Sequence, residues 1–328
     1  MMEVAQTRKD TRRPVLAFTF RQVRLAEILW SMIRAVLIVG ISFIIIYPLL
    51  VQISLSVMAA EDLLDLSVHW IPRHFTTVNF KIAYERMNYL QALLTTFLVT
   101  AVLSALQVMS CMVVGYGFAR FKFRGSKPLF ALVVFSLVVP PSTIMVPLFL
   151  NFRYFTFWGL LKKPGINLIG SSWPLVLMSL TATAKRNGLF IYIVRQFFRG
   201  MSSDLEEAAY VDGAGPLRTF FSIMMPNAKP IIMIIFLFAF VWQWNDLFYS
   251  DLFMKGKNLL PLALQTLTDR FAFSWADPSI ESVTGELTSH IRLVANAGLL
   301  MYIAPLLVLY AALQRYFVES LEKTGIVG

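Results

Sequence analysis

The sequence predicts an all-α integral membrane protein of six transmembrane helices, and three observations predict it. Of 328 residues, 57% are hydrophobic, 28 are phenylalanine, and mean hydropathy is +0.66, the composition of a polytopic membrane protein. Six apolar runs fall at about 33–56, 93–119, 128–150, 171–198, 230–248 and 293–316, each long enough for a hydrocarbon core of about 30 Å. Lysines and arginines cluster beside these runs and give a net charge of +10, so the charge reads as membrane orientation by the positive-inside rule and not as a nucleic-acid footprint.

Residues 1–32 form a basic segment with Arg8, Lys9, Arg12, Arg13, Arg21 and Arg24. The run after it is too long for a signal-peptide core, so it reads as a first span entering from the cytoplasm, and 18–34 as an amphipathic helix on the inner surface. Asp62, Asp65, His69, Pro72 and Asn79 mark an outer loop. Arg120, Lys122, Arg124 and Lys127 follow the second run with no acid among them, a cytoplasmic signal. Pro140, Pro141 and Pro147 interrupt the third run; they break or kink a helix, and the freed carbonyls then need buried partners or a cavity. Arg153, Lys162 and Lys163 form a basic outer loop that dissents from the charge rule. Another outer loop spans about 249–292, with Pro261, Asp277 and Glu281. Six runs put both termini inside, with a multi-pass domain at 33–316 and a cytoplasmic tail at 317–328. The single cysteine, Cys111, lies within an apolar run, which excludes a disulfide framework or thiolate metal site. His69, His74 and His290 read as solvated loop residues.

Between the fourth and fifth runs, at about 199–229, lies a polar stretch containing Leu205-Glu206-Glu207-Ala208-Ala209-Tyr210-Val211-Asp212-Gly213 and ending in Ile223-Met224-Met225-Pro226. Ser203 with Glu206, or Asp204 with Glu207, has capping-box spacing. Gly213 suits the left-handed position after a helix, and Pro216 the first turn of the next. The expectation is helix, glycine turn, helix, with Ala208 and Ala209 on a face that a partner can approach closely.

Glu207-Ala208-Ala209, Gly213, Ile223 and Pro226 resemble the EAA loop of ABC-transporter permease subunits of bacterial uptake systems, with Met225 where leucine is usual. The resemblance runs through Tyr47-Pro48-Leu49-Leu50, Thr77-Val78-Asn79-Phe80, Gly117-Phe118-Ala119-Arg120, Trp244-Asn245-Asp246 and Leu260-Pro261-Leu262-Ala263-Leu264. The ending, Gln314-Arg315-Tyr316-Phe317-Val318 to Gly325-Ile326-Val327-Gly328, is similar to that of maltose-type (MalG-like) carbohydrate permeases. Three departures stand out: Met201-Ser202 before the EAA helix, a longer polar loop at 270–296, and Lys185-Arg186 inside the fourth run. The resemblance implies the type I importer permease fold in the bacterial inner membrane. It also implies a second related permease subunit, two cytosolic ATPase subunits and an extracytoplasmic sugar-binding protein. ATP and Mg2+ would be bound by the ATPases, consistent with the lack of a phosphate-binding Gly-x4-Gly-Lys-Ser/Thr loop here. Glu206, Glu207, Ala208, Ala209, Asp212, Gly213, Ile223 and Pro226 are then the ATPase-coupling residues, with Glu207 capping or salt-linking the docked helix and the tail reaching the ATPase interface.

Trp242, Gln243, Trp244, Asn245 and Asp246 are candidates for the substrate path, with an interfacial aromatic belt as the other reading of the two tryptophans. Lys185 and Arg186 sit where a charge costs at least ~2.5 kcal/mol on insertion scales. With Arg153, Lys162 and Lys163 they outline an electropositive path for an acidic cargo, such as a uronate-containing oligosaccharide or a sugar phosphate. The other reading is an early end to the span, with both charges snorkelling to headgroups. A permease for a non-sugar cargo shares the EAA loop but not the ending. An ion-coupled transporter calls for an internal repeat and paired intramembrane acids, and an intramembrane enzyme for a catalytic constellation; none of these is visible in the sequence.

Overall fold

The computed structural model describes residues 16–275 and 284–325 except 66, 69, 158, 161 and 163, and for 16–26, 64, 268, 270–275, 284–289 and 315–325 the backbone alone. His69, Lys163, Asp277, Glu281, the basic stretch before residue 16 and the closing Ile326-Val327-Gly328 lie outside the described residues. What is described is helical: α1 (Leu16–Ser56), α2 (Ala60–Leu64), α3 (Val78–Met87), α4 (Tyr89–Arg120), α5 (Ser126–Phe135), α6 (Pro141–Arg153), α7 (Trp173–Leu180) and α8 (Asn187–Gly200). After these come α9 (Asp204–Val211), α10 (Pro216–Thr219), a π-helical turn at Phe220–Met224, α11 (Met225–Asn227), α12 (Lys229–Trp244), α13 (Phe248–Met254), α14 (Leu260–Trp275) and α15 (Thr284–Gly325).

Among the described residues, three helices are long and apolar enough to cross a membrane: Glu27–Ser56, Tyr89–Arg120 and His290–Gln314. A fourth candidate is the pair Pro216–Asn227 and Lys229–Trp244, bent by 78°. Pro226 and Pro230 start α11 and α12; without their amide hydrogens one straight helix cannot pass through both positions. The side-chain amide of Asn227 donates to the Ile223 carbonyl at 2.8 Å, taking up an acceptor beside the bend. The third and fourth apolar runs are each two helices, α5 with α6 and α7 with α8. The first break ends at Pro140 and Pro141, where α6 begins. The second was not signalled by proline and lies at residues 181–186.

Other boundaries differ from expectation. α1 runs unbroken from Leu16, so 18–34 is not a separate surface helix. No residue of its apolar window is buried within the chain, and it packs mainly along α15. The stretch expected as a loop at 249–292 contains α13, α14 and the start of α15, and His290 lies on α15. His74 is not a merely solvated histidine: its Nδ1 lies 2.7 Å from the carboxylate of the buried Asp62, whose other oxygen accepts the His74 amide hydrogen at 2.7 Å. These bonds hold the Asp62 carboxyl below its usual range and raise the His74 imidazole above its own.

α4 is the central post, packed by α7, α8 and α12. Small residues let it approach closely: a Cβ added at Gly115 would stand 2.6 Å from Val194 Cβ. The core on its C-terminal half joins Met112, Tyr116, Phe190, Val194, Phe198, Phe220, Met224 and Ile235. That cluster fastens the polar helix α9 region to the spans.

Candidate functional site: an unwound segment beside a cavity

α7 ends at Leu180 and α8 starts at Asn187, so six residues between the two helices are unwound. Ala182 and Arg186 have positive φ, 56° and 67°, a conformation that costs side-chain-bearing residues energy and collects at functional sites. Unwound backbone packed among apolar side chains must find hydrogen bonds inside the protein, and α4 provides most of them. Ser110 Oγ donates to the Ser179 carbonyl at 2.6 Å, and Gln107 Nε2 donates to the Lys185 carbonyl at 2.8 Å and to Asn187 Oδ1. Thr181 Oγ1 donates to the Leu177 carbonyl at 2.8 Å, and the Thr183 amide to the Met178 carbonyl at 2.9 Å. Gln243 Nε2 completes the group by donating to Gln107 Oε1 at 3.2 Å.

The two charges in this segment have separate partners. Lys185 Nζ lies 2.8 Å from Asp246 Oδ1, with Asp246 only 3% exposed and Lys185 31%. The second Asp246 oxygen accepts the Tyr249 amide hydrogen at 3.2 Å, at the start of α13. Arg186 lies over the Trp242 ring at 5.1 Å, a cation–π geometry, and Trp242 stacks on Phe190. The helix does end early, at Leu180, and each charge finds a partner within the chain, so Lys185, paired with Asp246, adds no free cation to the electropositive path expected.

A cavity of about 730 Å³ opens beside the break. It is lined by both unwound segments, with Ser136, Val138 and Pro140 from one and Thr183, Lys185 and Arg186 from the other, and by Asn187 at the start of α8. Asn187 Nδ2 is buried and has no hydrogen-bond partner among the described residues. Residues 242–246 do not line this cavity, contrary to their selection as a group. Trp244 is 1% exposed and packs with Phe240 and Tyr302, so it is a core residue and not part of an aromatic belt. Asn245 Oδ1 accepts the Tyr302 hydroxyl at 2.8 Å. Trp242, Gln243 and Asp246 act on the site indirectly, through Arg186, Gln107 and Lys185. Sequence reasoning missed Gln107, Ser110 and Asn187; a glutamine inside the apolar second run was the available signal.

The polar stretch at 199–229 folds as helix, turn, helix. Gly213 has φ +78°, and Pro216 starts α10. Neither capping box forms: Ser203 makes no side-chain cap, and the Asp204 amide donates to Ser202 Oγ at 3.1 Å. Glu206 is buried because it faces Tyr116 and Arg120 at the end of α4. Ala209 is also buried, 3% exposed, so it packs on its own chain and only Ala208 of the alanine pair faces outward. Glu207, Asp212 and Pro226 are exposed, and Ile223 packs on the inner core. Leu205, Tyr210, Val211 and Leu217 add apolar surface to the exposed face.

Residues 111–323 match the family of binding-protein-dependent transport system inner membrane components. The melibiose/raffinose/stachyose import permease protein MelC of Bacillus subtilis is 30% identical over 266 residues, 80% of this chain and 86% of that protein. The diacetylchitobiose uptake system permease protein NgcG of Streptomyces coelicolor is 27% identical over 283 residues, 86% of this chain and 84% of that protein. The crystal structure of a bacterial ABC transporter involved in import of the acidic polysaccharide alginate superposes with a TM-score of 0.64 at 22% identity. It covers 89% of this chain and 98% of that one, and establishes likeness of fold. Taken with the long apolar helices and the polar helix–turn–helix, these matches show that the chain belongs to the inner-membrane permease family of binding-protein-dependent ABC importers, as a transport component and not an enzyme.

Proposed function

We propose that the chain is one permease subunit of a bacterial importer of oligosaccharides and carries the sugar past the break at 181–186. The observation that carries this reading is the strained, internally hydrogen-bonded break facing a cavity of about 730 Å³, a volume in the range of small-molecule sites. The MelC and NgcG likenesses support carbohydrate as the cargo class. Counting α5 with α6 and α7 with α8 as broken spans gives six crossings at 33–316, with both termini cytoplasmic and short segments at 1–32 and 317–328. The partners are a second, related permease subunit, two cytosolic ATPases that bind ATP and Mg2+, and an extracytoplasmic sugar-binding protein. α5 has no buried residue, which supports a second subunit covering that side and closing the cavity. The exposed face of α9, with Glu207 and Ala208, then enters the ATPase, and Gly213 supplies the turn that presents it.

A second reading, an acidic oligosaccharide, is favoured by Arg186 at the cavity wall and rests on that residue alone, since Lys185 is spent on Asp246. ATP hydrolysis by the complex, with binding protein and either raffinose or an oligogalacturonate, tests both. Stimulation by raffinose alone is the expected result for a neutral cargo. Stimulation by the uronate, reduced about tenfold in Arg186→Gln, supports the acidic reading. No stimulation by any oligosaccharide, in a complex that hydrolyses ATP, contradicts the carbohydrate assignment.

A further inference from the structure

The inner end of α4 grips the helix that presents the EAA face. Glu206 Oε1 accepts the Tyr116 hydroxyl at 2.9 Å and lies 3.2 Å from Arg120 Nε. A terminal nitrogen of Arg120 donates to the Met201 carbonyl at 2.9 Å, on the segment that leads into α9. The Arg120 and Glu206 side chains are only 15% and 11% exposed, so this pair is little screened by water compared with a surface bridge. Tyr116 is itself held against Phe121, Phe198 and Phe220. A carboxylate in the first turn of a surface helix would ordinarily stay in water. Here it is drawn into its own chain, while its neighbours Glu207 and Ala208 stay free for a partner.

We infer that Glu206 is a positioning residue that makes α9 and α4 one rigid body, so that displacement of α9 reaches the substrate break directly. The same helix carries Gln107, which holds the Lys185 carbonyl, and Gln107 is nine residues from Tyr116, about 14 Å along a helix rising 1.5 Å per residue. The route is therefore a single stiff helix with one polar anchor at each end: Glu206 at the ATPase side and the 181–186 segment at the cavity side. Coupling of this kind requires an element both sites can bias, and α4 is bonded to both. This inference rests on the reading that α9 receives the ATPase.

The test uses the whole complex carrying Thr183→Cys as a probe, since Thr183 is exposed at the cavity wall and the native Cys111 is buried. Thiol labelling is measured with and without Mg-ATP and expressed per ATP hydrolysed. Glu206→Gln should reduce the nucleotide-driven change in labelling at least about tenfold relative to hydrolysis. Tyr116→Phe, which removes one donor and leaves the ion pair, should reduce it less. The exchanged pair Glu206→Arg with Arg120→Glu should recover part of the response, and a purely structural role would instead lower assembly while leaving the labelling change per ATP hydrolysed intact. An unchanged ratio in Glu206→Gln overturns the inference. So does a loss that only tracks the amount of assembled complex, or failure of both Glu206→Gln and the exchanged pair to assemble. If the parent complex retains no ATPase, the reading of α9 fails instead, and that outcome is visible before any Glu206 variant is made.

Discussion

Lys185→Met should destabilise the protein by about 3–5 kcal/mol, the range for leaving one member of a buried ion pair uncompensated. The loss falls on Asp246, which is 3% exposed and keeps only hydrogen-bond donors such as the Tyr249 amide. Asp246→Asn should cost less, because Lys185 is 31% exposed and its ammonium can turn toward the cavity. The double variant Lys185→Met with Asp246→Asn should regain most of the loss, since both charges are then gone. Thermal unfolding in detergent of the three variants checks this order. Equal losses in the two single variants, or strict additivity in the double, would mean that the pair is not coupled. Uptake by the double variant should survive, because the pair joins the break to the start of α13, Asp246 is buried away from the cavity, and Lys185 presents no uncompensated charge there.

Gln107→Leu should be the most damaging substitution for transport. One amide serves three groups: the Lys185 carbonyl, Asn187 Oδ1 and Gln243 Nε2. Interhelical hydrogen bonds in membranes are worth about 0.6–2 kcal/mol each, so losing three costs about 2–6 kcal/mol. The unwound carbonyl it uncovers cannot turn to water within apolar packing. A tenfold change in rate needs only about 1.4 kcal/mol, so uptake per assembled complex should fall by at least tenfold. Ser110→Ala removes a single bond to Ser179 and should fall by less. Uptake unchanged in Gln107→Leu would show that the break does not depend on α4.

The two variants probe what the linear pattern left hidden. The three long apolar helices and the helix–turn–helix at 199–229 were legible because they depend on local chemistry: runs of apolar residues, a glycine for positive φ and prolines for helix starts. Pro140 and Pro141 likewise announced the first break. The break at 181–186 has no such mark, since Thr181, Ala182, Thr183 and Ala184 are tolerated in helices. Its unwinding depends on bonds from Gln107 and Ser110, some seventy residues away in sequence. Lys185 looked like a cargo-facing charge because its neutralising partner, Asp246, is 61 positions distant. Glu206 and Glu207 are adjacent and chemically alike. Only the docking of α9 on Tyr116 and Arg120 turns one inward and leaves the other outside.

Alternating access past the break is tested by the sidedness of Thr183→Cys labelling in the parent complex. Membrane-impermeant thiol reagent is applied from either face, with and without Mg-ATP trapped by vanadate. Alternating access past the break predicts labelling from the cytoplasmic face without nucleotide and from the outer face in the trapped state. Labelling that is the same from each side in both states would contradict a substrate path at residues 181–186.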